Sequence, residues 1–310
     1  LLPKQFTDWR WGLEGETTAW YPSARLWRNF DMERMKQSLA DCAGTEHREP
    51  RLLPQPPTVV TRPCRYGPMS FLANDHYIGR ALALYGEYSQ SEADLLRRVL
   101  KPGDVVIEAG ANVGGLTVAL ADIVGPRGRV LAFEPQPAYY DLLEQNCIGL
   151  PQVDSDEDAL GATSYALITM RGIETERIHA PGWESTGPEF QVEQITIDSL
   201  DFSRLALIKA DVDGPEMEVL KGAEQTIARC RPLIYIEHDK PAKYPDMIPW
   251  LHAHGYRIYK HEAPLFNPNN FADNPVNVFG SMISLMLLAV PSERRDLHPG
   301  DWGLPRVVVS

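Results

Sequence analysis

Seven residues, Glu108-Ala109-Gly110-Ala111-Asn112-Val113-Gly114, lie between the apolar run Val105-Val106-Ile107 and the helix-like Leu116-Thr117-Val118-Ala119-Leu120. A short run that is apolar at every position reads as a strand buried on both faces, which is the habit of a parallel sheet. When such a strand ends in a glycine turn and feeds a helix, backbone and free helix N–H groups face a ligand. The chain is therefore expected to be an α/β protein with a ligand at its strand ends. A dinucleotide fingerprint, G-x-G-x-x-G, uses its second glycine to admit a pyrophosphate. Here that position is Asn112. The E-x-G-x-x-x-G form instead leaves a carboxylate at the strand end, which repels phosphate and suits a ligand carrying an ammonium or hydroxyls.

A second short apolar strand, 129–133, ends in Glu134-Pro135, 24 positions after Gly110. Roughly 20 residues is the spacing at which a second-strand carboxylate reaches the two hydroxyls of a ribose. As an acceptor, Glu134 takes both hydroxyl protons. Together the two turns favour S-adenosylmethionine over NAD as the expected ligand.

Downstream and upstream, strands and helices alternate with short turns, the signature of a parallel sheet. A capping-box candidate, Ser91-Glu92-Ala93-Asp94, opens a helix that is expected to end at Lys101-Pro102-Gly103. Strand 104–107, helix 115–123, strand 130–133 and helix 138–147 follow. A third strand is expected within 149–195, where Asp154, Asp156, Glu157 and Asp158 crowd, and 164–170 reads as a further strand. The buried run 205–210 ends in Asp211-Val212-Asp213-Gly214, after which Pro215, at a first helical position, opens one helix over 216–229. Strand 233–236 ends in Glu237-His238-Asp239. A helix over 247–254 stops at Gly255, and 281–290 is a long apolar strand.

Four strand ends thus carry acids: Glu108, Glu134, Asp211 and Glu237. Ligands of open α/β sheets bind outside the carboxyl ends of the strands. Asp211 and Glu237, expected on adjacent strands, are candidate general bases for removing a hydroxyl proton. Two carboxylates with waters also suit Mg²⁺, so spacing leaves a metal open, but no ligand set is assigned. His252 and His254, two apart on a helix, point to different sides.

The net charge of −12 over 310 residues argues against nucleic acid as a partner, because that binding rests on Lys and Arg. Cys42, Cys64, Cys147 and Cys230 lack C-x-x-C spacing and read as buried thiols of a reducing cytoplasm. No stretch approaches the ~20 apolar residues that span a bilayer, and Leu1 is not followed by a leader pattern. A soluble, cytoplasmic protein is the expectation. Residues 1–60 differ in kind: Trp9, Trp11, Trp20 and Trp27 fall there, closed by Pro50, Pro54, Pro56 and Pro57. They read as an N-terminal extension with a possible helix over 32–42 and an extended linker, ahead of a main domain over 61–310.

In combination, several motifs resemble the FkbM family of S-adenosylmethionine-dependent methyltransferases. They are Tyr85-Gly86-Glu87-Tyr88-Ser89, the 104–114 turn, Ala132-Phe133-Glu134-Pro135, Thr196-Ile197-Asp198-Ser199-Leu200, Ile208-Lys209-Ala210-Asp211-Val212-Asp213-Gly214-Pro215-Glu216, Val219-Leu220-Lys221-Gly222-Ala223 and Pro232-Leu233-Ile234-Tyr235-Ile236-Glu237. The resemblance, over roughly 65–290, implies a Rossmann-like seven-stranded sheet with helices on both faces and methyl transfer to a hydroxyl of a small or carbohydrate-like molecule. It implies that Glu108, Gly110, Asn112, Gly114 and Glu134 hold the cofactor, that Tyr85 and Glu87 cover its methionine end, and that Asp158 lies near the adenine. Asp211 would face the reaction centre. The chain departs from the family in carrying Glu108 and Asp213 where Asp and Glu are frequent, and Pro215 where a small residue is. Trp20–Arg28 is in turn similar to a segment near the ends of some family-2 glycosyltransferase domains. That similarity suggests the alternative of a cofactor-binding module that recruits a glycan-modifying partner and has little activity itself.

Overall fold

The structure, a computed structural model, describes residues 58–173, 187–239, 241 and 245–308. The expected helix over 32–42 and the Trp-rich extension lie outside the described residues. The strands are β1 (Val59–Cys64), β2 (Gly67–Leu72), β3 (Val105–Ala109), β4 (Arg129–Phe133), β5 (Val153–Asp156), β6 (Ala159–Leu160), β7 (Ala166–Arg171), β8 (Glu189–Ile195), β9 (Leu207–Ala210), β10 (Leu233–Glu237), β11 (Tyr256–Pro264), β12 (Ile283–Pro291) and β13 (Arg306–Val307). The helices are α1 (Ile78–Tyr85), α2 (Gln90–Val99), α3 (Thr117–Val124), α4 (Pro137–Cys147), α5 (Glu216–Lys221), α6 (Glu224–Cys230) and α7 (Met247–Ala253).

The main sheet runs β5-β4-β3-β9-β10-β12-β11, the expected seven strands, with the two-residue β13 pairing on the β11 edge. Strands β5, β4, β3, β9 and β10 are parallel, and β12 is antiparallel to both β10 and β11. Chain order explains where a ligand belongs. From β3 the chain builds outward through β4 to β5, then returns to lay β9 and β10 on the other side of β3. The strand order therefore reverses between β3 and β9, and a crevice opens at their carboxyl ends.

Alternate side chains go to opposite faces. Ile107, Ile208, Ile234 and Ile236 join Val219, Leu220 and Ile227 of α5 and α6 and Met247 and Leu251 of α7 in one core. Val106, Leu207, Leu233 and Tyr235 join Leu95 and Leu96 of α2 and Leu120 and Val124 of α3 in the other. With each fully buried aliphatic side chain contributing roughly 1.5–3 kcal/mol, these two layers dominate the stability of the sheet.

Three local expectations are corrected, all at helices; the expected third strand is the acidic stretch, β5, and the strand expected over 164–170 is β7, in a separate small sheet, β6-β8-β7. A sheet-edge strand tolerates polar residues that a central strand does not, so β5 carries no apolar signature. The helix expected over 216–229 is two helices. A Cβ on Gly222 would collide with the Gly161 carbonyl, and Asp198 reaches in to accept from Gln225 N at 3.0 Å and Thr226 N at 2.7 Å, starting α6 afresh. Pro215 sits one residue before the first helical position. The helix expected to start at Ser91 starts at Gln90, and it is Ser89 whose hydroxyl donates to Glu92, at 2.7 Å. Among the described residues, no helix is long and apolar enough to cross a membrane.

Asn146 of α4 ties three elements together. Its carbonyl accepts from Ser70 N at 2.7 Å, and its amide donates to Ser70 O at 2.8 Å and Val113 O at 2.7 Å. The side chain is buried, so removing it strands three backbone groups without water. Asn146→Ala is expected to cost about 3–5 kcal/mol, summed from ~1–3 kcal/mol per stranded group with partial relaxation, as a lower midpoint in urea unfolding.

Candidate active site

The turn after β3 is held by its neighbours on both sides. Gly110 N and Ala111 N donate to Phe133 O of β4, and Asp211 N donates to Ala109 O. Gly110 adopts φ +78°, and a Cβ there would strike the Asp211 carbonyl, so only glycine lets the β3 turn and the end of β9 meet. Asn112 lies in the left-handed region at φ +51°, and its side chain accepts from Val113 N at 2.8 Å. Asparagine is one of the few residues that tolerate this conformation, through such local hydrogen bonds. The position therefore needs no glycine.

Glu134, 5% exposed, accepts from Asn112 N at 2.8 Å and Gln136 N at 2.9 Å, one bond on each oxygen. Each oxygen retains a further acceptor site aimed away from these donors. Burial pushes the carboxyl up to about 7, against the two backbone N–H groups and Lys209, which pull it down. Glu108, 1% exposed, is turned inward. It accepts from the Thr117 hydroxyl of α3 at 2.6 Å and lies 3.8 Å from Lys209 Nζ. Burial raises it from the ordinary glutamate range, with Lys209 and Thr117 opposing.

Across the crevice, Asp211 Oδ2 lies 3.4 Å from Lys209 Nζ with its side chain 33% exposed. Glu237, at the end of the next strand, is pushed up by burial and then by the nearby Asp211, Asp239, Asp213 and Glu216, so that it holds its proton at neutral pH. Glu216 accepts from Val212 N at 3.3 Å and Gly214 N at 2.9 Å, pinning the loop on which Asp211 and Asp213 sit. His238 is buried, burial lowers it, and its Nδ1 has no protein partner. Among the described residues, no group of three or more His, Cys, Asp or Glu side chains is arranged to hold a metal ion.

The structure thus gathers Glu108, Gly110, Asn112, Gly114, Glu134 and Asp211 about one turn, with Glu237 beside Asp211. Three other sequence candidates lie further out. Asp158 follows β5, its N donating to Asp156 Oδ1 at 2.9 Å, and burial with Asp156 and Glu193 nearby raises its carboxyl to about 6. The Tyr85 hydroxyl donates to Val276 O at 2.8 Å and accepts from Val278 N at 2.9 Å. Glu87 accepts from Arg65 Nε at 2.7 Å, Asn267 Nδ2 at 2.8 Å and Phe271 N at 2.9 Å. Both residues fasten the segment between β11 and β12. Tyr88 of the same motif is the one against the turn, since a Cβ on Gly115 would lie 3.3 Å from its ring. Sequence reasoning assigned no site role to Tyr88, Lys209 or Glu92. For Lys209 a signal was present: it is the one charge in an otherwise apolar strand buried on both faces.

These groups fit S-adenosylmethionine. Glu134 keeps acceptor capacity for ribose hydroxyls, the neighbouring Gln136 Oε1 is buried without a protein partner, and the acid-rich crevice suits a cationic sulfonium and ammonium.

Residues 108–258 match the methyltransferase FkbM domain family. The chain is 25% identical over 225 residues to 31-O-demethyl-FK506 methyltransferase FkbM of Streptomyces tacrolimicus, covering 61% of this chain and 86% of that one. It is 30% identical over 145 residues to the hexuronic acid methyltransferase AglP of Haloferax volcanii, covering 43% of this chain and about half, 56%, of that one. Among solved structures it is similar to methyltransferase FkbM from Methylobacillus flagellatus, with 14% identity, 64% of this chain and 50% of that one covered, and a TM-score of 0.42. It is also similar to Aeropyrum pernix fibrillarin with bound S-adenosyl-L-methionine, with 15% identity, 65% and 74% covered, and a TM-score of 0.39.

Glu92 and Glu134, both raised from 4.5 to about 7 chiefly by burial, make stability depend on pH. Between these values the folded chain keeps protons that the unfolded chain has released, so stability is highest at the acid end of the window and falls as pH rises through it. Urea unfolding of the ligand-free protein at pH 5 and pH 8 is expected to show this loss, up to about 3 kcal/mol per group. The double variant E92Q/E134Q is expected to reduce the difference, with Glu237 and Asp158, raised in the same way, keeping a share of it.

Proposed function

Because the chain carries an FkbM methyltransferase domain over residues 108–258, we propose that it transfers a methyl group from S-adenosylmethionine to a hydroxyl of a small-molecule or carbohydrate acceptor. The observation that carries the reading is the pairing of two unlike strand ends across one crevice: a pocket at Glu134 with free acceptor sites, and an adjacent pair in which Asp211 is the proton acceptor and Glu237 the protonated partner. In this reading the catalytic unit is 61–310 and residues 1–60 are an appended segment.

When bound, the cofactor would supply an electrophilic methyl group to the acceptor oxygen and leave as the neutral thioether. The side chains have two tasks. Glu134 and the Gly110–Gly114 turn fix the donor, with Asn112 and Gly114 shaping the turn and Glu108 bracing it from inside through Thr117. Asp211, partly open to the crevice, accepts the hydroxyl proton, while Glu237, already protonated, donates a hydrogen bond to the acceptor oxygen or to Asp211. Alignment of the hydroxyl behind the methyl supplies much of the rate, since proximity and orientation alone account for up to about 7–11 kcal/mol in favourable intramolecular cases. The name of the Haloferax relative makes hexuronic acids and oligosaccharides that contain them the first acceptors to try.

Isothermal titration with S-adenosylhomocysteine is the primary test, and absence of binding would sink the proposal. With methyl-labelled donor and a panel of glucuronic and galacturonic acid oligosaccharides, Asp211→Asn is expected to lower turnover roughly 10²–10⁴-fold. Its cofactor affinity stays within a few-fold. Glu134→Ala shows the opposite split, weaker cofactor binding with turnover recovered at saturating donor.

A further inference from the structure

Lys209 Nζ sits at the junction of the three pieces that make the crevice. It lies 3.3 Å from Gly110 O of the donor turn, 3.4 Å from Asp211 Oδ2 and 3.8 Å from Glu108 Oε1, with its side chain 5% exposed. Glu92 of α2, buried, adds a fourth negative influence from the helix layer that covers this same face of the sheet. A buried ammonium survives only with such compensation. Burial alone would lower Lys209, but Asp211, Glu108 and Glu92 outweigh it and hold the charge on.

We propose that Lys209 is a positioning and charge-setting residue that limits how strongly the crevice prefers a cationic methyl donor over its neutral product. The inference rests on the methyltransferase reading above. Methyl transfer removes the positive charge from sulfur. A crevice of uncompensated carboxylates would hold the donor more tightly than the transition state, in which that charge is dispersing, and such ground-state binding does not speed the chemical step. Lys209 offsets the two carboxylates nearest the turn, so donor affinity comes from Glu134 and the backbone rather than from raw charge. The same ammonium, touching Gly110 O and Asp211 at once, keeps the proton acceptor in register with the turn that positions the methyl.

The test compares two ligands by calorimetry at pH 8, in the full chain. Sinefungin carries an ammonium-bearing carbon in place of the sulfonium, and S-adenosylhomocysteine is neutral at sulfur. In K209M the preference for sinefungin over S-adenosylhomocysteine is expected to rise about ten-fold or more, because a compensating charge has gone from a partly desolvated site. In E92Q, which removes a carboxylate, the preference is expected to fall, and this second variant keeps the idea testable if K209M does not fold. Wild-type binding of both ligands with ratios unchanged in the folded variants would overturn the role of Lys209 alone. Wild-type binding of neither would overturn the methyl-donor reading and this inference with it.

Discussion

A parallel sheet covered by helices on both faces has no room for charge along its strands, and this confines the chemistry of the molecule to the strand ends. Two neighbouring central strands depart from it at one level, β3 with Glu108 and β9 with Lys209, which are register partners. The departure is bearable because the lysine lies near the carboxyl end, where β3 and the loop after β9 bring carboxylates to it. The close approach of Gly110 to the Asp211 carbonyl makes that meeting possible. Backbone packing and ion pairing are thus one arrangement: widen the turn by a methyl group and the carboxylates move off the ammonium.

Much of this was legible in the sequence, and the parts that were not share a physical cause. The central strands announce themselves because burial on both faces demands continuous apolar runs, so β3, β4, β9 and β10 appear at their expected places with acids at their tips. Strand β5 at the sheet edge is under no such demand, and its Val-Asp-Ser-Asp sequence has no apolar run, so the third strand is expected within 149–195 without a position. The break between α5 and α6 is invisible to helix periodicity, since it is imposed by the Gly161 carbonyl and the Asp198 carboxylate arriving from elsewhere in the chain. The Thr196–Leu200 motif could be recognised but not explained until Asp198 was seen to cap α6.

The acids of the crevice divide by environment rather than by type. Glu134 and Glu108 are both buried glutamates at neighbouring strand ends, yet one is held by backbone N–H groups and keeps acceptor sites outward, while the other spends itself on Thr117 and the vicinity of Lys209. Asp211 and Glu237 differ in the same way, one partly solvated beside a cation, the other crowded by anions. Adjacent carboxyls in unlike surroundings are what acid–base work needs. Spacing in sequence gives the positions of such groups; only their surroundings divide the labour among them.

The Tyr85 and Glu87 side chains grip a segment far along the chain: the hydroxyl of Tyr85 meets Val276 and Val278, 191 and 193 residues away, and Glu87 meets Asn267 and Phe271 at 180 and 184. Loop closure over such separations is entropically slow to repay. During synthesis the turn after β3, β4 and β9 emerge and can assemble while the partners of Glu87 are still untranslated. The buried carboxylate then waits, solvated, for strands β11 and β12 to deliver them. The segment between β11 and β12 is accordingly the last of these pieces to be fastened, and completing the C-terminal strands is what gives the buried Glu87 its partners.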